Sequence, residues 1–189
     1  MRAAIHHFID EREYLLRESM ASTKSEYFQG EILAMSGGLP RHNELAARIT
    51  GLLHERLKGS PCRPFSSDQR IWTPGGLYTY PDLSVICGRV QLHEGTVDVA
   101  TNPIVLVEVL SPGTRAYDRG EKLELYKAIP SLRDVLLVEQ DSPHIEHVYR
   151  TEHGWEVRIA HGVDAVVRLV GVQAELPLAE VYERGFAEE

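Results

Sequence analysis

Changes in the spacing of hydrophobic residues divide the chain into predicted helices and strands. Apolar residues at helical spacing over 45–57, after Pro40, predict a helix, because proline suits a first helical turn. Residues 10–28 are also predicted to be helical, and 29–35 to form a first strand. Further short apolar runs between turn residues predict strands at 62–66, 69–73, 78–87, 104–110, 133–139, 144–150, 155–160 and 164–170.

One part of this pattern predicts a crossover between parallel strands. A helix over 118–128 separates the strands at 104–110 and 133–139, which is typical of a right-handed crossover within one sheet. The arrangement places Glu108 near the carboxyl end of its strand and Lys122 at the start of the helix, facing each other across a tight turn. The elements together predict a mixed α/β sheet flanked by helices.

Two acidic residues interrupt strands that are otherwise apolar. Asp82 follows Pro81 in the strand at 78–87, and Glu108 lies within Pro103-Ile-Val-Leu-Val-Glu-Val-Leu110. A carboxylate buried in such surroundings costs several kcal/mol unless it is paired or binds a cation. Two of them on neighbouring strands form a site for a hard divalent cation and indicate metal-assisted hydrolysis.

Other roles for these acids remain open from the residues alone. Asp82 could bond to a backbone turn at the start of its strand, and Glu108 could be a buried acid paired with Arg115. Lys122 could be a solvated helix lysine paired with Asp118. A general acid and base pair of the glycosidase type is disfavoured, because a sugar site needs aromatic residues and only Tyr78 and Tyr80 are close to either acid in the sequence.

Four neighbouring residues have weaker signals. Asp118 is expected to cap the helix at 118–128, with Glu121 completing a capping box. Tyr126 is expected to pack one turn beyond Lys122. His42 is expected to be a core histidine, because it shares the apolar face of the helix that begins near Pro40. Glu44 is a candidate acid from that helix, although it lies beside the apolar stripe.

Length and composition favour one soluble domain. The 189 residues predict a single domain with a core over about 24–182 and a helical extension over 1–22. No apolar run approaches the roughly 20 residues of a membrane span, and the first residues lack a secretion signal. Cys62 and Cys87 are too few to staple the domain, so we expect reduced thiols, with Cys87 packing as a small hydrophobe, and a cytoplasmic location without membrane attachment.

The order of several motifs resembles a known family. Pro81-Asp82, Glu108-Val-Leu-Ser-Pro112, Asp118-x-x-x-Lys122-x-x-x-Tyr126 and Leu136-Leu-Val138 resemble the Uma-two family of restriction-endonuclease-like proteins. The resemblance includes Tyr27-Phe-Gln-Gly-Glu-Ile32 and Pro40-Arg-His-Asn43, and so covers roughly residues 24–182. Each motif alone is weak, whereas the ordered set is specific.

This resemblance implies a fold and a chemistry. The family is grouped with the PD-(D/E)XK nucleases, which implies a restriction-endonuclease-like mixed sheet and a metal-dependent nuclease that hydrolyses DNA, often as a homodimer. Asp82, Glu108 and the backbone carbonyl of Val109 would hold Mg²⁺ or Mn²⁺. Leu110 stands where the superfamily motif has a lysine, and Lys122 would take over that catalytic role.

A second function also fits the sequence. The net charge of −8 lowers the expectation of a nucleic-acid substrate without removing it. Together with the missing lysine at position 110, it leaves open a non-catalytic, dimeric binding or assembly module on a nuclease-like fold.

Overall fold

The computed structural model describes residues 8–35 and 37–183, which form a mixed α/β fold. Five helices occur in these residues: α1 (Glu11–Met20), α2 (Pro40–Arg56), α3 (Arg115–Arg119), α4 (Glu121–Lys127) and α5 (Leu178–Val181). The strands are β1 (Ser25–Phe28), β2 (Glu31–Ala34), β3 (Cys62–Ser66), β4 (Arg70–Trp72), β5 (Tyr78–Thr79), β6 (Leu83–Cys87), β7 (Val99–Ala100), β8 (Val105–Val109), β9 (Asp134–Val138), β10 (His144–Thr151), β11 (Gly154–His161), β12 (Val166–Arg168) and β13 (Glu175–Pro177).

The main sheet has six strands in the order β11-β10-β9-β8-β6-β3. β8 and β9 are parallel, with Glu108 opposite Leu137, and the other neighbours in this sheet are antiparallel. The predicted parallel pair on either side of a helical segment is therefore confirmed. A second sheet has the order β2-β1-β5-β4-β7, and β12 pairs with β13.

Each face of β8 packs against a different helix, because side chains alternate along a strand. Val105, Val107 and Val109 belong to the apolar cluster that contains Leu45, Ile49 and Leu53 of α2. Leu106 and Leu110 belong to the cluster that contains Leu123 and Tyr126 of α4. Glu108 lies between Leu106 and Leu110 in sequence and therefore shares the face of β8 that α4 covers.

The first predicted helix is too long. It ends at Met20, and Ser25–Phe28 forms a strand that pairs with β2 and β5, so the prediction of helix up to residue 28 was wrong. Tyr14 of α1 stacks on Tyr27 with ring centroids 4.9 Å apart, so α1 packs directly on the second sheet. Residues 1–7 of the predicted extension lie outside the described residues.

Two other predicted elements are divided. The strand over 78–87 is two strands, β5 and β6, separated by Tyr80-Pro-Asp82. The helix over 118–128 is two helices, α3 and α4, separated by Gly120. Asp118 therefore lies inside α3 and is buried. Our prediction that Asp118 caps a helix was wrong.

The cysteines correct another expectation. Cys62 and Cys87 lie opposite each other on β3 and β6, with Cα atoms 3.8 Å apart, and form a disulfide instead of two free thiols. Both still pack against the apolar cluster on the α2 face. The disulfide removes the argument from free thiols for a reducing compartment, so the cytoplasmic location stays a prediction. No helix in the described part of the chain is long and apolar enough to cross a membrane.

A buried carboxylate fastens the segment after β12 to the main sheet. Asp134 is fully buried, and its side chain lies 2.7 Å from Nε2 of His147. It also accepts hydrogen bonds from the backbone N–H groups of Val170 and Gly171, at 2.9 and 2.8 Å. One side chain therefore satisfies three polar groups at the edge of the core.

We expect Asp134→Ala to lower the free energy of unfolding by about 3 kcal/mol, because it leaves several buried donors unpaired. Urea denaturation measures this effect. The matched control is Asp164→Ala, at an exposed position, which should leave the unfolding midpoint unchanged. Equal stability of the two variants would contradict this role of Asp134.

Candidate active site

Asp82 lies at the start of β6, beside the end of β8. Its Oδ2 accepts a hydrogen bond of 2.7 Å from the backbone N–H of Val109. The same oxygen lies 3.2 Å from Nε2 of His42, in the first turns of α2. Asp82 thus bonds to backbone, as one of our readings expected, but the backbone is that of β8, next to Glu108.

The backbone groups of Val109 face Asp82, because the N–H and C=O groups of successive residues in β8 point to opposite sides of the strand. Leu110 donates its N–H to Val138 of β9, so the peptide groups of the preceding residue point to the opposite side, toward Asp82. In an extended strand the C=O of a residue points to the same side as its N–H. The carbonyl of Val109 is therefore expected on the side of β8 where Asp82 lies.

Glu108 is buried, with 5% of its surface exposed. Its Oε1 accepts a hydrogen bond of 2.5 Å from the Tyr126 hydroxyl and lies 3.0 Å from Nζ of Lys122. Burial raises the pKa of Glu108 to about 8, and the charges of Asp82 and Asp118 add to this, although Lys122 opposes it. The alternative pairing with Arg115 does not occur, because Arg115 contacts Glu139 at 2.6 Å.

Lys122 is surrounded by three carboxylates. Its Nζ lies 3.0 Å from Glu26 of β1, 3.0 Å from Glu108 of β8 and 3.4 Å from Asp118 of α3. Lys122 is 4% exposed, so it is not the solvated lysine of the alternative interpretation, although the pairing with Asp118 that this interpretation expected is present. Burial acts to lower its pKa, but the carboxylates outweigh burial and hold the pKa of Lys122 well above its usual value.

These residues line one cavity of about 480 Å³. Residues that bear charge or polar groups on its wall are Glu26, His42, Tyr80, Asp82, Glu108, Ser111, Thr114, Tyr117, Asp118, Lys122 and Gln140. The cavity also touches Val109 and the segment between β2 and α2. All four residues predicted for the site, Asp82, Glu108, Val109 and Lys122, are therefore brought together.

Leu110 occupies the position at which the superfamily motif has a lysine, so the lysine beside Glu108 comes from another element. Leu110 is fully buried in the apolar cluster under α4, two residues after Glu108 on the same face of β8. The ammonium beside Glu108 is supplied by Lys122 from the first turn of α4 instead. The ammonium of Lys122 therefore lies next to Glu108, although β8 itself has no lysine.

Sequence reasoning missed or misassigned several residues in or next to the cavity. Glu26 was placed in a helix, His42 was expected to be a core residue, and Asp118 was expected to be a cap. The Tyr126 hydroxyl contacts Glu108, beyond the packing role that we expected. Glu44, a candidate acid, is paired with Arg41 at 2.9 Å and is absent from the cavity lining.

His42 carries a favourable contact with the carboxylate of Asp82. The hydrogen bond to Asp82 raises the pKa of His42, although partial burial opposes the charged form. Asp82 is therefore the carboxylate that His42 contacts. His42 is part of the motif Pro40-Arg-His-Asn43, which carried the family resemblance, but the motif alone did not predict which acidic residue His42 contacts.

The donors in the cavity suit a hard cation of the Mg²⁺ type. Asp82 and Glu108 each use one carboxylate oxygen, Oδ2 and Oε1, for the contacts recorded among the described residues. Among the described residues, no three or more His, Cys, Asp or Glu side chains form a group that could by itself hold a metal ion. Two carboxylates and a carbonyl fit Mg²⁺, which keeps several waters and takes only one or two protein carboxylates.

Comparison with solved structures gives a relative with the same fold. The structure described as a "putative nuclease belonging to DUF820" from Anabaena variabilis superposes with a TM-score of 0.74 and 19% sequence identity. The match covers 90% of this chain and 96% of that one. The predicted mixed α/β, nuclease-like fold is confirmed.

Comparison of sequences gives the family. Two uncharacterized proteins of Synechocystis sp. are similar: sll1609 is 35% identical over 136 residues, and slr1290 is 39% identical over 143 residues. These matches cover 71% of this chain and 77% of sll1609, and 75% of this chain and 74% of slr1290. The family model described as "Uma2: Putative restriction endonuclease" matches residues 12–179. The chain therefore belongs to the Uma2 family, as its motifs predicted.

Proposed function

We propose that this protein is a divalent-metal-dependent endonuclease that hydrolyses phosphodiester bonds of DNA. The observation that carries the proposal is the contact of the Lys122 ammonium with the carboxylate of Glu108, in a cavity that also contains Asp82. The nuclease description of the family and the nuclease-like fold support the reaction class. Asp82, Glu108 and the carbonyl of Val109 are the proposed ligands of Mg²⁺ or Mn²⁺.

The balance of charge supports a cation in this cavity. Glu26, Glu108 and Asp118 surround the single ammonium of Lys122, and Asp82 adds a fourth carboxylate nearby. Burial raises the pKa of Glu108, and the negative charges of Asp82 and Asp118 raise it further. A divalent cation would offset most of the excess, and Glu108 would then be ionised at neutral pH.

Each residue has a defined part in the proposed reaction. A bound Mg²⁺ or Mn²⁺ would supply an acidic water and neutralise charge on the phosphodiester. The Val109 N–H and His42 fix the orientation of the Asp82 carboxylate. Tyr126 fixes Glu108, and Lys122 provides a permanent positive charge that stabilises the negative charge of the transition state.

The choice of DNA as substrate rests on the family and on phosphodiester chemistry. A net charge of −8 argues against a broad basic surface, since such surfaces provide most nonspecific binding to nucleic acid. We therefore expect substrate contacts to be concentrated near the cavity.

The direct test is cleavage of plasmid and linear DNA with Mg²⁺ or Mn²⁺. Asp82→Asn and Glu108→Gln keep the size of each side chain but remove its charge, and each should lower the rate about 100-fold or more. The control Glu44→Gln changes an acid of α2 that does not line the cavity, and it should cleave like wild type. Absence of cleavage by wild type, or equal cleavage by Glu108→Gln, would contradict the proposal. Cation binding without cleavage would instead favour the binding module.

A second prediction concerns stability without divalent cations. The pKa of Glu108 is about 8 in the folded protein and ordinarily 4.5, so the folded state holds a proton that the unfolded chain releases between these values. The stability due to this proton is complete below about pH 4.5 and is lost as the pH rises through 8. Relative to Glu108→Gln, wild type should lose up to about 1.4 kcal/mol per pH unit in this window.

Urea denaturation in EDTA across pH 5 to 9 measures this difference. Glu44→Gln is again the control, and its stability should follow that of wild type at every pH. Parallel curves for wild type and Glu108→Gln would mean that Glu108 is ionised throughout, against the expected effect of its burial.

A further inference from the structure

The two edges of the main sheet differ in how they are protected. β3 forms one edge and contains Pro64, which has no N–H and interrupts pairing with another strand. β11 forms the other edge, is eight residues long and contains neither proline nor lysine. An unprotected edge strand of this length is a template for pairing with a further strand.

The outer side of β11 carries free backbone groups. Gly162 donates its N–H to Pro143, just before β10, so the even-numbered residues of β11 face β10. The alternation of a strand then directs the N–H and C=O groups of Trp155, Val157 and Ile159 away from the sheet. Within the described residues no backbone partner is recorded for these three.

The side chains at this edge are apolar on one face and charged on the other. Val157 and Ile159 are 60% and 61% exposed, although they are hydrophobic and lie in the middle of the strand. Glu156 and Arg158 are exposed on the opposite face. Tyr149 holds both charged side chains there, since it donates to Glu156 at 2.8 Å and accepts from Arg158 at 3.1 Å.

We propose that β11 pairs antiparallel with β11 of a second copy of this chain, centred on Val157, to form a homodimer with a continuous sheet. In this register Val157 lies opposite Val157 of the other copy, and the outward backbone groups bond to each other. Glu156 of each copy lies opposite Arg158 of the other, in the closely spaced pairs without backbone bonds, where opposite charges attract.

Other two-fold registers fit less well. A pairing centred on Glu156 or on Arg158 puts two like charges opposite each other at the axis, which is unfavourable. A pairing centred on Ile159 puts Arg158 opposite Ala160 and leaves both charges without a partner across the interface. The sequence of β11 is therefore self-complementary in the register centred on Val157.

Sedimentation of the purified full chain over a concentration series tests this dimer. We expect a reversible monomer–dimer equilibrium for wild type. Val157→Lys places two ammonium groups together at the axis and should raise the dimer Kd at least about tenfold, which corresponds to 1.4 kcal/mol. The matched control is Val97→Lys, at a valine that is 90% exposed outside β11, and it should dimerise like wild type.

A charge reversal tests the register. Glu156→Arg alone puts arginine opposite arginine in both cross-pairs and should weaken the dimer, as should Arg158→Glu alone. The double variant E156R/R158E restores opposite charges and should dimerise close to wild type. Circular dichroism confirms that each variant is folded.

A wild type that stays monomeric at every concentration would overturn the proposal. The same conclusion follows if Val157→Lys and Glu156→Arg dimerise like wild type, because the interface would then lie elsewhere. Failure of the double variant to recover would exclude this register. None of these outcomes depends on whether the protein cleaves DNA.

Discussion

The burial of one ammonium among three carboxylates is the interaction on which the arrangement of the site depends. Glu26 comes from the second sheet, Glu108 from the main sheet and Asp118 from α3, and all contact Lys122 of α4. Removing the ammonium of Lys122 would leave the carboxylates uncompensated in a low-dielectric interior, at a cost of several kcal/mol. The cluster therefore fixes how the two sheets and the helix pair meet, and it also fixes the wall of the cavity.

The same cluster connects structure to the proposed chemistry. It holds a lysine beside the strand acid although position 110 is occupied by a buried leucine. It also contains more negative than positive charge, which is costly for a folded protein unless protons or cations are bound. We propose that a divalent cation offsets this excess; the Uma2 family and the nuclease-like fold agree with the reaction class of a nuclease.

The sequence predicted what depends on spacing along one element. The stripe of α2, the parallel strands around the helices and the anomaly of Glu108 are all visible in local patterns. Contacts between distant elements were not predictable in this way. Glu26 meets Lys122 because β1 joins the second sheet, and Cys62 meets Cys87 because of the register between β3 and β6. Asp118 was predicted to cap one helix over 118–128. In the structure Gly120 divides that helical segment, and Asp118 lies in α3 as part of the buried cluster.

The central claim is that Asp82 and Glu108 bind a divalent cation in this cavity. Titration calorimetry with Mn²⁺ on wild type, Glu108→Gln and Glu44→Gln tests it most directly, because it requires no knowledge of the substrate. The account predicts binding by wild type and by Glu44→Gln, and its loss in Glu108→Gln. Binding that is equal in all three proteins, or absent from wild type, would contradict it, and Glu108 would then be a structural partner of Lys122.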